Sequence, residues 1–133
     1  MISRGCMCGA TRYRAEGEML WAELCHCRDC QRAAGANYVS WFGMRAAGVT
    51  WSGPRRTFAS SPGVTRSFCG TCGTPMSFET TRYPDETHFY APTLDDRSLY
   101  HPTAHVHWSE RVPWLDGLET LRRHIHGGGS PLA

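Results

Sequence analysis

Phe68-Cys69-Gly70-Thr71-Cys72-Gly73, taken with Gly5-Cys6-Met7-Cys8-Gly9-Ala10 far upstream, is the stretch whose reading decides the fold. Each cysteine pair lies in a tight turn, and two such turns can pinch one zinc ion between four thiolates. Gly70 and Gly73 supply the backbone freedom needed to turn amides toward sulfur. A closed Cys6, Cys8, Cys69, Cys72 shell would hold the start of the chain against its middle and perform no reaction. The competing reading is that these thiols are small buried apolar groups.

Outward from the two turns, short extended segments are broken at close intervals by Gly, Pro, Ser and Thr, the pattern of a mainly β chain. Alternation over residues 11–15 follows the first turn directly. Further strands are expected over 38–44, 49–51, 56–59, 64–68, 75–80, 88–90 and 105–108. Residues 30–35 read as a short helical turn closed by Gly35, so one or two such turns are the most helix the pattern allows. The chain reads as a single compact zinc-containing domain over 1–126, with the Gly-rich 127–133 as a flexible tail.

The chain has 133 residues with a hydrophobic fraction of 41%, a modest core for which metal cross-links would compensate. The first ten residues lack the apolar run of a secretory signal, and no segment has the length of a membrane span, so a cytoplasmic location and no membrane partner are expected. All fourteen basic residues are arginine. They are scattered rather than striped, which argues against a nucleic-acid partner. The absence of lysine excludes Schiff-base chemistry by a lysine side chain. Holding two zinc ions through seven thiolates would lower the formal charge from +2 to about −1. The sequence carries no signal for an oligomeric state.

The remaining cysteines fall in Cys25-His26-Cys27-Arg28-Asp29-Cys30. Three thiolates can wrap one metal but leave its fourth position open to water or substrate. The division into four and three therefore predicts one structural zinc and one reactive or exchangeable zinc. Three other readings compete at this point. His26, His105 or His107 could fill the fourth position and make a second structural site. Cys27 and Cys30 could act as a redox dithiol, which would strand Cys25 and lacks a thioredoxin-like setting. A binding module with two structural zincs would carry no chemistry at all.

Gly5-Cys6-Met7-Cys8-Gly9-Ala10, Cys25-His26-Cys27-Arg28-Asp29-Cys30, Phe68-Cys69-Gly70-Thr71-Cys72-Gly73 and the stretch from His105-Val106-His107-Trp108 to Val112-Pro113-Trp114 resemble, in order, the motifs of the glutathione-dependent formaldehyde-activating enzymes, whose domain is shared with centromere protein V. The resemblance implies a β-rich fold of the Mss4-like kind. It implies a structural zinc on Cys6, Cys8, Cys69 and Cys72, with a second on Cys25, Cys27 and Cys30 as the catalytic centre. Glutathione and formaldehyde would be the partners, combined into S-hydroxymethylglutathione by a carbon–sulfur lyase activity. The alternative within that resemblance is a non-catalytic zinc module that carries glutathione or docks a protein.

Local chemistry agrees with a thiol entering the open position as a bound thiolate. Arg28 could meet a glutathione carboxylate, the competing reading being an ordinary solvated loop residue. Among the aromatic residues, Trp108 is the first candidate to line the glutathione pocket, ahead of Trp41, Phe42, Trp51 and Trp114. His105 and His107 alternate about Val106, so a strand would set both on one face.

Overall fold

The structure, a computed structural model, describes residues 2–133. Ten strands and one helix follow in chain order: β1 (Ile2–Gly5), β2 (Arg12–Ala15), β3 (Trp21–Cys25), α1 (Arg28–Ala34), β4 (Val39–Arg45), β5 (Val49–Ser52), β6 (Arg55–Ser61), β7 (Val64–Cys69), β8 (Pro75–Thr80), β9 (Glu86–Tyr90) and β10 (Ala104–Val106). Isolated 3-10 turns make up the other helical structure among the described residues. No helix is long and apolar enough to cross a membrane.

Burial explains the layering. In β4 the run Trp41-Phe42-Gly43-Met44 is buried without interruption, and so is Thr87-His88-Phe89-Tyr90 in β9. Strands apolar on both faces must be covered on both faces. β4 and β9 accordingly lie inside a seven-stranded sheet of order β10-β3-β4-β9-β8-β7-β6, antiparallel except for the parallel pair β10 and β3. On one face packs an antiparallel three-stranded sheet, β1-β2-β5. There Tyr13 stacks on Phe89 at 3.9 Å between ring centroids, with Phe42, Met44 and Met76 filling the same core. The other face of the large sheet carries Trp41 and Tyr90 beneath Cys25 and Cys30.

Arg4 belongs to the first core. Its guanidinium is fully buried over the Phe42 ring at 4.3 Å and the Tyr13 ring at 5.1 Å, and desolvation draws its pKa down to about 10. Its three nitrogens have no hydrogen-bond acceptor, so ring faces stand in for one.

The mainly β architecture is that expected from the sequence. The expected strand over 75–80 coincides with β8, and those over 38–44, 49–51, 56–59, 64–68 and 88–90 differ from β4, β5, β6, β7 and β9 by one to a few residues. α1 is a seven-residue helix closed by Gly35 in the left-handed region at φ 61. Two features differ from expectation. β3 was not anticipated, because Trp21-Ala22-Glu23-Leu24-Cys25 has no clean alternation. The strand expected over 105–108 stops at Val106, since His107 turns into the left-handed region at φ 54 and begins a 3-10 turn. Residues 127–133 fold back on the preceding segment, with the Ile125 amide donating to the Pro131 carbonyl and the Ala133 amide to the Arg123 carbonyl.

Candidate metal centres

The two glycine-bounded turns meet. Cys6 Sγ and Cys8 Sγ are 3.5 Å apart, Cys8 Sγ and Cys69 Sγ 3.8 Å, and all four sulfurs of Cys6, Cys8, Cys69 and Cys72 lie within 4.8 Å of one another. Tetrahedral zinc with bonds near 2.3 Å would set sulfurs about 3.8 Å apart, so the cluster fits that ion. Amides are already aimed at sulfur: Thr11 N donates to Cys6 Sγ at 3.2 Å, and Thr71 N and Cys72 N donate to Cys69 Sγ at 3.3 and 3.4 Å. The Thr11 side chain, then the Cys72 amide and the Thr71 amide, hold the Cys69 thiol down to about 5.

The turn Gly53-Pro54 holds the two knuckles together. The Pro54 carbonyl accepts from Thr11 Oγ1 at 2.6 Å and from the Gly70 amide at 2.7 Å, one donor from each knuckle. Gly53 has φ +86, and a Cβ there would run into the Ala10 carbonyl.

Cys25, Cys27 and Cys30 form the second cluster, also with every sulfur within 4.8 Å of the others. Cys25 ends β3, Cys27 caps α1, and Cys30 lies in the first turn of the helix, where its amide donates to Cys27 Sγ at 3.3 Å. Hydrogen bonds from Cys25 and then Cys27 draw the Cys30 thiol down to about 3 against the cost of burial, with Trp41 and the Arg66 charge adding to the effect. Cys25 moves upward because of Cys27, Cys30 and burial. The trio thus shares its protons as one unit in which a thiolate is favoured, and a cation can take their place.

No His, Asp or Glu among the described residues joins the trio. His26 points elsewhere: its fully buried ring donates to or accepts from His105 Nδ1 through Nε2 at 2.8 Å, and it packs edge-on against Trp108 at 5.0 Å. The loop is clamped from outside by Gln31 Nε2, which donates to the His26 carbonyl at 2.6 Å and to the Glu110 carbonyl at 3.0 Å, and by the Arg28 amide, which donates to Glu110 Oε1 at 3.2 Å. His105 and His107 do not share a face. His107 instead lies beside Glu110, with Nδ1 3.6 Å from Oε2.

The trio opens into a cavity of about 710 Å³ over one face of the large sheet. Its lining includes Arg28 and His107, and also residues that periodicity alone did not single out: Trp21, Arg66, Phe78, Glu86 and His88. Trp108 packs on His26 and His105 at the rim, 42% exposed, and is not among the lining residues. All of the missed residues but Glu86 share one cross-strand row, Trp21–Gly43–His88–Phe78–Arg66, which only register reveals, and Glu86 precedes His88 by two residues on β9. Gly43 lets the Trp21 indole lie flat on the sheet, because a Cβ there would strike its ring. Glu86 Oε2 then accepts from Trp21 Nε1 at 3.0 Å and pairs with His88 Nε2 at 2.8 Å. Burial pushes the His88 imidazole below its usual pKa, against an opposing pull from Glu86.

No curated protein matches the sequence of the chain. The fold is shared with a crystal structure of a Rhodobacter sphaeroides protein, at a TM-score of 0.63 and 19% identity, over 78% of this chain and 99% of that one. The model of a family described as glutathione-dependent formaldehyde-activating enzyme matches residues 1–110, a span that includes all seven cysteines and ends before Val112-Pro113-Trp114. This chain belongs to that family.

Proposed function

We propose that the chain joins a thiol to an aldehyde at the Cys25, Cys27, Cys30 cluster, with glutathione and formaldehyde as the pair and S-hydroxymethylglutathione as the product. The observation that carries this reading is the opening of that trio, and no other cysteine, into the 710 Å³ cavity. Zinc on three thiolates supplies, when bound, the acidity that turns an incoming thiol into a thiolate. The carbon–sulfur bond forms between the thiol sulfur and the aldehyde carbon. The proton that the thiol loses balances the one that the aldehyde oxygen gains, and no protein nucleophile is required.

The chain's own residues bind and orient. Trp21, Trp41 and Phe78 wall the cavity with apolar surface, excluding water and holding the carbon next to sulfur. Arg28 stands at the mouth beside the trio and offers a cation to a glutathione carboxylate. Trp108 acts through His26, keeping the loop that carries Cys25 and Cys27 in place. Cys6, Cys8, Cys69 and Cys72 hold a zinc that closes the fold.

Thiols add to formaldehyde unaided, so the test is acceleration over background. The adduct rate is measured at matched glutathione and formaldehyde with the wild type, with Cys27→Ser and without protein. Acceleration that Cys27→Ser abolishes is the expected result. Glutathione binding with no acceleration would make the chain a carrier instead.

A further inference from the structure

Three arginines line the cavity without a carboxylate partner among the described residues, Arg28, Arg66 and Arg82, and of these Arg66 is the buried one. Arg66 is only 5% exposed and lines the same cavity as the cysteine trio. Its plane is fixed from two sides: Nε donates to Ser60 Oγ at 3.1 Å, and the guanidinium carbon lies 5.0 Å from the centre of the Phe78 ring. Nη1 is buried with no acceptor. The ion pairs among the described residues are Arg12 with Asp95, His88 with Glu86 and His107 with Glu110, so no carboxylate of the chain neutralises Arg66. The Arg66 charge is felt at Cys30, but no carboxylate shares its burial, and a ligand that brings one relieves the cost of burying the cation.

We infer that Arg66 anchors a carboxylate of the thiol substrate, so that the cavity selects acidic thiols over neutral ones of the same shape. This rests on the proposed thiol chemistry and adds the residue that sets its specificity. Position supports it. Arg66 comes from β7 and the trio from β3 and α1, and both line the one cavity, close enough for the Arg66 charge to act on Cys30. A ligand can then present sulfur to the cysteines and its carboxylate to the arginine. The planar fork of a guanidinium matches a carboxylate in two parallel hydrogen bonds, a fit that a single sulfur does not offer. Of the acids that line the cavity, Glu86 already serves Trp21 and His88, and Glu110 the Arg28 amide and His107.

The test is calorimetric titration of the metal-loaded full chain with two probe thiols that differ only in charge, 3-mercaptopropionate and 3-mercaptopropanamide, with metal content measured in parallel. A charge-assisted pair makes the acid bind about tenfold to a hundredfold tighter to the wild type. Arg66→Met removes that preference by weakening the acid alone, with the amide and the metal content unchanged, and Arg66→Lys keeps part of it. Equal affinities in the wild type overturn the anchor without touching the thiol reading, as does an Arg66→Met protein that weakens both thiols alike or loses metal. Binding of neither thiol by the wild type overturns the thiol reading and the anchor with it. The wild-type comparison decides even where Arg66→Met fails to fold.

Discussion

The two cysteine clusters use the same ligand chemistry and differ in what surrounds them. Cys6, Cys8, Cys69 and Cys72 bring together β-turns from distant parts of the chain, braced by the Pro54 carbonyl, so a metal there closes a long loop. Cys25, Cys27 and Cys30 come from one six-residue stretch already positioned by β3, α1 and the Glu110 clamp. A metal on the trio closes almost nothing, and that side faces a cavity. The proposed division gives one cluster to stability and the other to binding, and the difference can be measured.

The largest effect is expected from cutting the closed cluster. Metal binding in small structural zinc sites is worth roughly 10–16 kcal/mol, comparable with or above the roughly 5–15 kcal/mol of a whole folded domain. Cys69→Ser should therefore abolish cooperative thermal unfolding, followed by circular dichroism. Cys27→Ser should release the second metal while the melting temperature moves by only a few degrees. Collapse of both variants to the same extent would erase the division between the two clusters.

Much of that division is legible in the sequence, because cysteine spacing is local and chemically specific. The three cysteine clusters and the helical turn at Cys30 follow from neighbours a few residues apart, and the four-plus-three grouping from the four ligands that a closed zinc shell takes. The cavity wall did not follow, for a physical reason. Trp21, His88, Phe78 and Arg66 are brought into line by cross-strand register across β3, β4, β9, β8 and β7, and no local period records that alignment. Arg66 was further hidden among fourteen arginines that look alike in sequence. His107 was misplaced for the opposite reason. Its alternation with His105 is real, but the backbone leaves the strand between them.

Two glycines sharpen the contrast at a smaller scale. Gly53→Ala would force a Cβ into the Ala10 carbonyl at positive φ, and should cost about 2–4 kcal/mol by denaturant unfolding and loosen the closed cluster. Gly43→Ala meets only the Trp21 ring, at an ordinary backbone conformation. It should tilt that indole off the sheet, cost about 1–2 kcal/mol, and weaken thiol binding without changing metal content. Loss of metal from Gly43→Ala would show that the cavity floor supports the trio directly.

The smallest effect belongs to the polar wall. Burial lowers the His88 pKa below its ordinary value of 6.5, so the imidazole is held neutral in the fold. As pH falls below 6.5, the unfolded chain takes up a proton at this histidine that the folded chain refuses, and stability is lost with it. The loss continues until the pH passes the lowered folded value. Below that point the folded chain accepts the proton as well. His88→Gln keeps an amide within reach of Glu86 and removes the titration, so its melting temperature should decline less between pH 6.5 and the acid limb than that of the wild type. Acid release of metal acts on both proteins alike and cancels in the difference. A parallel decline would mean that the pull of Glu86 offsets the effect of burial and leaves His88 with the same affinity for a proton in the folded and unfolded chains.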